Sequence, residues 1–239
     1  MEDLEEVASL LFNKNNVALT GAGISQESGI PTFRGKDGLW DKYRPEKLAT
    51  REAFLKNPEL FWEFYNFRRN LIKNAKPNEA HLILTKLEND RNLSCIISQN
   101  VDGLHNKAGS KNVIEIHGNI WNVKCETCGK VELRTETEGI IMCSSCDKIT
   151  RPDVVLFGEA VRKIDEAFSI VRNADNLLVI GTSSVVYPAA LLPYEGKKHS
   201  AKVIEINIAP TDLTNDVDYF INGKAAEILP KIYNFMKRI

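Results

Sequence analysis

Short runs rich in β-branched residues recur along the chain with amphipathic helical patterns between most of them. This alternation restricts the fold more than any other feature. The strand-like runs are NVALT at 16–20, SCIIS at 94–98, VIEI at 113–116, NLLVIG at 176–181 and KVIEIN at 202–207. Helical periodicity covers roughly 3–13, 78–90, 160–174, about 188–199 and 223–238. Strands separated by helices pair in parallel, because the crossover helix returns the chain to the end from which it started. The pattern predicts an α/β fold with a mainly parallel sheet, and such sheets bind ligands at the carboxyl ends of their strands.

With 239 residues the chain can bury a full core and still carry a smaller unit. A formal charge of −1 gives no general attraction to nucleic acid or anionic membranes. No apolar run approaches the ~20 residues that span a bilayer. The first residues, MEDLEEVASLLFNKNN, are acidic and amphipathic, unlike a signal or transit peptide. The expectation is an intracellular, cytoplasmic protein with no membrane association.

Two stretches break the alternation: 34–76 has no convincing strand, and 120–152 is polar. Both read as insertions into the α/β framework that together form a small lobe. The large lobe then comprises 1–33, 77–119 and 153–239. The second insertion holds Cys125, Cys128, Cys143 and Cys146, spaced C-x2-C-x14-C-x2-C. In a reducing compartment two tight pairs favour metal over disulfides, and four thiolates close a tetrahedral zinc site with no open position. A closed site implies a structural zinc. Zinc ribbons can bind nucleic acid, but the residues between these pairs have mixed charge and no aromatic side chain, so none is expected to bind here. Cys95, in an apolar run, is expected to be buried and inert.

The first strand ends in GAGIS, with Gly21 and Gly23 placed for a tight turn near a pyrophosphate. Position 26 is Gln where a dehydrogenase fingerprint has its third glycine, and no ribose-binding acid ends a second strand. A dinucleotide site here is therefore not built as in an ordinary dehydrogenase. The run SQNVDGLH puts Gln99, Asn100 and Asp102 at a strand's carboxyl end, and IEIHGN puts His117 at another. These should line one crevice with the glycine turn. His81 is expected to cap or pack the helix that begins near Asn78.

GAGISQESGIPTFRG, SQNVDGLH, the His-Gly at 117–118, the two CxxC pairs, RPDVVLFGE, GTSSVVYPAA and EIN at 205–207 occur in the order and spacing of the sirtuins, the NAD-dependent protein deacylases. The resemblance covers essentially the whole chain. It implies an inverted Rossmann-like large domain, with a zinc ribbon and a helical module as the small lobe. Acyl-lysine proteins or peptides and NAD, a consumed co-substrate, would enter the cleft from opposite sides. Carried over by motif, the NAD-binding residues are Gly21, Ala22, Gly23, Ile24, Ser25, Gln26, Phe33, Arg34 and Trp40. Gln99, Asn100, Val101 and Asp102 would lie near the ribose and nicotinamide, and Gly181, Thr182, Ser183, Asn207 and Ala225 near the adenosine half. Val154, Val155, Phe157 and Gly158 would line the peptide. His117 is implied as the general base, with Asn100 and Asp102 favouring the positive charge that develops when nicotinamide leaves. The alternatives are mono-ADP-ribosyl transfer by the same chemistry, or a non-catalytic NAD-binding zinc scaffold.

The run EFYNFRRN at 63–70 raises a separate question. Placed at ~100° per residue, Leu60, Phe61, Trp62, Phe64, Tyr65, Leu71 and Ile72 form one apolar arc. Arg68 falls near its middle and Arg69 at its edge, where a guanidinium needs a partner. Within the sirtuins, DGLW, LATREAF and WEFYNFRR resemble the branch whose acyl pocket carries Tyr and Arg three residues apart. The resemblance implies that Tyr65 and Arg68 hold the carboxylate of succinyl- or malonyl-lysine, with Ala49 leaving room for the longer chain. Arg68 could instead pair with an acid from a neighbouring loop. The branch usually has ATP where this chain has Ala49-Thr50-Arg51.

Overall fold

The computed structural model describes residues 2–33, 39 and 44–239. Six parallel strands form the main sheet: β1 (Asn16–Thr20), β2 (Cys95–Ser98), β3 (Val113–Glu115), β7 (Asn176–Ile180), β8 (Lys202–Asn207) and β9 (Tyr219–Asn222). Their order is β3-β2-β1-β7-β8-β9, so the winding direction reverses between β1 and β7. Every residue of β1, β2 and β7 is buried, as central strands covered on both faces require.

Helices cover both faces. On one, α1 (Glu2–Leu11), α5 (Glu79–Asn89) and α9 (Ala225–Met236) pack Leu11, Leu84 and Leu229 against Ala18, Ile96 and Ile204. On the other, α7 (Ile164–Arg172) and α8 (Leu192–Lys198) bring Val171 and Leu192 onto Val17, Leu177 and Val203. The expected helix at about 188–199 is split into a 3-10 turn over Ala189–Leu191 and then α8. Pro193 lies in the first turn of α8, where its missing N–H costs nothing. β9 has no counterpart among the expected strands: its run, YFIN, is too short and too exposed to show a periodicity.

The small lobe has a second, antiparallel sheet in the order β5-β4-β6: β4 (Gly118–Cys125), β5 (Val131–Leu133) and β6 (Thr150–Val154). Three helices complete it: α2 (Pro45–Leu48), α3 (Arg51–Lys56) and α4 (Pro58–Lys73). The Asn57 side chain accepts from the Leu60 N–H at 3.0 Å, and Pro58 opens α4 with its fixed φ. α4 departs from the single-stripe reading. Leu60 is 42% exposed whereas Arg69 is fully buried. Phe61, Phe64 and Tyr65 join one apolar cluster with Ile120, Val123 and Leu156, and Trp62 on the flank donates its indole N–H to the Thr150 carbonyl. The helix is therefore covered on two sides, by the cleft and by the ribbon, and the buried arc is rotated away from Leu60.

The remaining helix, α6 (Leu104–Ala108), follows the β2 loop. Among the described residues, no helix is long and apolar enough to cross a membrane.

Candidate functional site

The main cleft opens where the strand order reverses. The Gly21 N–H donates to Ile180 O at 3.0 Å, and the Gly23 N–H to Gly181 O at 2.8 Å. A Cβ on Gly21 would stand 2.8 Å from Gly181 O, and one on Gly23 2.7 Å from Gly181 Cα. The two strand-ending turns can touch only because both positions lack side chains. The chain then runs into a 3-10 helix, Ala22–Ser28.

One cavity of about 870 Å³ lies over these turns. Its walls gather most of the residues selected from sequence. Ala22, Gln26 and Phe33 line it beside the glycine turn, with Gln99, Asn100 and Val101 from the β2 loop, and His117 after β3. Thr182, Ser183 and Asn207 line the end under β7 and β8, with Ala225 at the start of α9. Ser25 and Asp102 instead face an adjoining cavity of about 30 Å³, which Asn100, Phe33 and Arg68 share with the main one. Ile24 lines neither cavity; its side chain is fully buried in the core and only its backbone takes part in the turn. Arg34 and Trp40 lie outside the described residues.

The loop after β2 is held by its own polar side chains. Asn100 Nδ2 donates to Gly21 O and to Ser25 Oγ, both at 3.1 Å. Ser25 Oγ donates to Asp102 Oδ2 at 2.8 Å, and the Leu104 N–H donates to Asp102 Oδ1 at 2.9 Å. Burial raises the Asp102 pKa, opposed by these two hydrogen bonds. His117 Nδ1 lies 2.9 Å from Gln99 O. A carbonyl only accepts, so Nδ1 carries the proton and Nε2 of the neutral ring is free to act as a base. Burial lowers the His117 pKa from 6.5, which keeps the ring neutral near pH 7.

The opposite wall is the segment that leaves β6. The Val155 N–H donates to His117 O and the Phe157 N–H to Ala49 O, each at 2.9 Å. The segment is thus tied at once to His117 and to the helical module. Gly158, at φ +89°, turns the chain out of the cleft. Val154, Val155, Phe157 and Gly158 all line the cavity, as do Ala49, Tyr65 and Arg68.

Tyr65 and Arg68 sit one turn apart on α4. The Arg68 guanidinium carbon is 5.5 Å from the Tyr65 ring centroid, 4.8 Å from that of Phe33 and 5.8 Å from that of Phe64. Among the described residues no carboxylate forms an ion pair with it. Burial lowers the Arg68 pKa and pushes the Tyr65 hydroxyl up to about 12. The arrangement offers a protonated phenol and a desolvated guanidinium in an aromatic box, which suits an anion. Arg69 is different: it donates to Ile120 O at 3.0 and 2.7 Å and to Glu136 O at 2.7 Å, fastening α4 to β4 and the ribbon.

Cys125, Cys128, Cys143 and Cys146 place their Sγ atoms within 4.8 Å of one another, with Cys125–Cys146 at 3.5 Å and Cys128–Cys143 at 3.6 Å. Thiolates bound ~2.3 Å from a tetrahedral zinc stand ~3.8 Å apart, so the donor set fits that ion and leaves no position open. Cys95 is buried, with its thiol pushed up to about 12 by desolvation.

Several cavity residues carried no recognised sequence signal. Glu159, Tyr187, Thr211 and Lys224 line the cavity too. Lys224 stands immediately before α9, and a cation beside the positive end of a helix is a legible anion signal. Glu159 and Tyr187 lie inside RPDVVLFGE and GTSSVVYPAA, and those motifs are the sequence signals that point to them.

Comparison with known proteins finds one family throughout. A model of the Sir2 family matches residues 21–188. An NAD-dependent protein deacylase of Pyrococcus furiosus is 51% identical over 99% of this chain and 99% of its own. A Sir2 homologue solved as its NAD complex has a TM-score of 0.91 at 43% identity, covering 98% of this chain and 94% of that one. A Sir2 protein solved with a deacetylated p53 peptide and 3′-O-acetyl ADP-ribose has a TM-score of 0.90 at 34% identity, covering 97% of each chain.

Proposed function

The chain belongs to the Sir2 family, and we propose that it is an NAD-dependent protein deacylase that moves the acyl group of acyl-lysine onto ADP-ribose and frees nicotinamide. The observation that carries this reading is the single cavity in which the glycine turn, Asn100, His117 and the segment 154–158 meet. The four cysteines would hold one structural zinc, and with four thiolates as ligands it would have no open position for chemistry.

Bound NAD supplies a ribose carbon that becomes electrophilic as nicotinamide departs. The chain's part is to favour that charge separation and to manage a proton. Asn100 is fixed by Gly21 O and Ser25, with its amide at the junction of the two cavities. Asp102, held by Ser25 and the Leu104 N–H, contributes a buried negative charge beside the smaller cavity. His117 accepts a proton at Nε2 from a ribose hydroxyl, while its Nδ1–H stays on Gln99 O. Backbone groups of 154–158 receive the substrate peptide as an added strand, which directs the lysine past Phe157 and Ala49.

At the far end of the lysine channel, Tyr65 and Arg68 hold the terminal carboxylate of succinyl- or malonyl-lysine. The fork of Arg68 pairs with it in bidentate fashion and the Tyr65 hydroxyl donates to it. Support for this comes from a buried guanidinium with no acidic partner among the described residues, facing the same cavity as His117. Side-by-side assays of acetyl-, succinyl- and malonyl-peptides with NAD, read by mass spectrometry, test both levels. Loss of acyl mass with nicotinamide release supports deacylation, and gain of ADP-ribose on the peptide opposes it. Faster removal of succinyl or malonyl than acetyl supports the carboxylate pocket, and the reverse order opposes it.

A further inference from the structure

Arg151 is 4% exposed, yet each nitrogen of its guanidinium donates a hydrogen bond. Nε donates to Glu126 Oε1 at 2.9 Å, Nη1 to Val154 O at 3.0 Å and Nη2 to Glu159 Oε1 at 2.7 Å. The second oxygen of Glu159 accepts from the Leu156 N–H at 3.0 Å. The second oxygen of Glu126 pairs with Arg51 Nη2 at 2.9 Å. Four charged side chains thus run in alternating sign from the helical module, through the cysteine turn, to the wall of the cleft.

The ends of this chain fall at informative places. Glu126 lies between two zinc-binding cysteines, Cys125 and Cys128, so its backbone is anchored by the metal turn. Arg51 directly follows Ala49 and Thr50, and Thr50 bridges Phe157 in parallel β fashion. Arg151 and Glu159 bracket the segment from Val154 to Gly158 and hold it from within, through one carbonyl and one N–H. A buried guanidinium held by two carboxylates is intolerant of losing either one. The backbone it fixes therefore has one preferred shape.

We propose that Arg51, Glu126, Arg151 and Glu159 act as a positioning relay that keeps the Val154–Gly158 segment in the shape that receives the acyl-lysine peptide. Glu126 is the member that ties this shape to the zinc ribbon, and Arg51 is its solvent-exposed end. The proposal rests on the reading that 154–158 binds the substrate peptide. None of the four residues is asked to touch the reacting atoms; Arg151 and Glu126 act through the backbone of the segment.

The test is Glu126→Gln in the full-length zinc-loaded enzyme, with zinc content measured as a control. The expected result is a KM for acetyl-lysine peptide raised by about fivefold or more, the scale of one net hydrogen bond, with the KM for NAD within about twofold. Hydrogen exchange should show faster exchange of the Leu156 amide. An unchanged peptide KM, or equal movement of both KM values, overturns the proposal, as does unaltered Leu156 exchange. Should Glu126→Gln fail to fold, Arg51→Met removes only the exposed end of the relay. It should raise the peptide KM by about twofold at low salt and converge with the unsubstituted enzyme at high salt; no difference at low salt overturns the relay. Exchange of the unsubstituted enzyme with and without peptide separates the two readings. If the peptide leaves 154–158 unprotected, the substrate placement itself is wrong, whatever the variants do.

Discussion

The Nδ1 of His117 lies 2.9 Å from the Gln99 carbonyl oxygen, and this contact decides which ring nitrogen can be the base. The carbonyl cannot donate, so Nε2 is left unprotonated in the neutral ring. Burial disfavours the imidazolium and lowers the pKa from 6.5. The base form therefore persists to lower pH than for an ordinary histidine. The acidic limb of the kcat/KM profile for peptide deacylation is expected below pH 6.5. His117→Ala should lose about 10²- to 10⁴-fold in acyl transfer, the range of a general base. An acidic limb above pH 6.5, or a near-normal rate in the variant, contradicts the assignment.

Arg68→Met separates the acyl pocket from the common machinery. A charge-assisted bidentate contact is lost only with a carboxylate-bearing acyl group. Desuccinylation should therefore fall by about 10- to 150-fold in kcat/KM while deacetylation changes by less than about threefold. Steady-state kinetics on matched peptides measures this. Equal loss of both activities would mark Arg68 as a structural residue.

The cysteine cluster predicts one zinc per chain, retained on gel filtration and released by a thiol-reactive mercurial with a metallochromic dye as readout. Cys143→Ser should abolish stoichiometric zinc and lower thermal stability. It should also loosen the β4–β6 sheet, because Cys125 ends β4 and Thr150, seven residues beyond Cys143, starts β6. A zinc-free variant of unchanged melting temperature would contradict a structural role.

His81 and His105 pack with ring centroids 4.9 Å apart, and both are essentially inaccessible. Desolvation is the leading cause of both shifts, to about 4 for His81 and about 3 for His105. Unfolded, each ring titrates near 6.5, so the unfolded chain binds protons that the folded chain refuses. Their stabilising contribution is full above pH 6.5 and falls as the pH drops toward 4, by up to about 1.4 kcal/mol per pH unit for each ring. Urea unfolding at pH 7.5, 6 and 5 measures it. A stability that is flat from pH 7 to pH 5 would contradict the burial of two neutral rings.

Much of the architecture was legible in local sequence. The five parallel strands anticipated at 16–20, 94–98, 113–116, 176–181 and 202–207 are present within a residue or two. The helix expected to begin near Asn78 is closed by a reciprocal cap: the Asn78 side chain accepts from the Ala80 N–H, and His81 Nδ1 accepts from the Asn78 N–H at 3.3 Å. Strand propensity and capping depend on residues a few positions apart, so they can be read without knowing the fold. β9 escaped because a four-residue edge strand has too few positions to show a period.

The fate of α4 could not be read the same way. Helical periodicity put Arg68 on the apolar arc, but it also put Leu60 there and left Arg69 at the margin. The structure exposes Leu60 and buries Arg69 completely, because a second surface, β4 and the ribbon, covers that flank of the helix. Asn70, next in sequence, is exposed, although its amide reaches the Thr137 carbonyl at 3.2 Å. A helical wheel identifies one face when a helix meets one neighbour, and it is misleading when the helix meets two.

By itself the sequence determined the parts that are short-range: the parallel α/β alternation, the side-chain-free turn at Gly21 and Gly23, the metal spacing of the four cysteines, and the candidate chemistry of Asn100, Asp102 and His117. Only the tertiary structure decided how those parts face one another. It brought His117 O to the Val155 N–H and Ala49 O to the Phe157 N–H, set Tyr65 and Arg68 into the cavity that also holds His117, and threaded Glu126 onto Arg151. These contacts join residues about 25 to more than 100 positions apart. They are fixed by sheet order and by which surfaces exclude water, and neither is encoded in any local window of the chain.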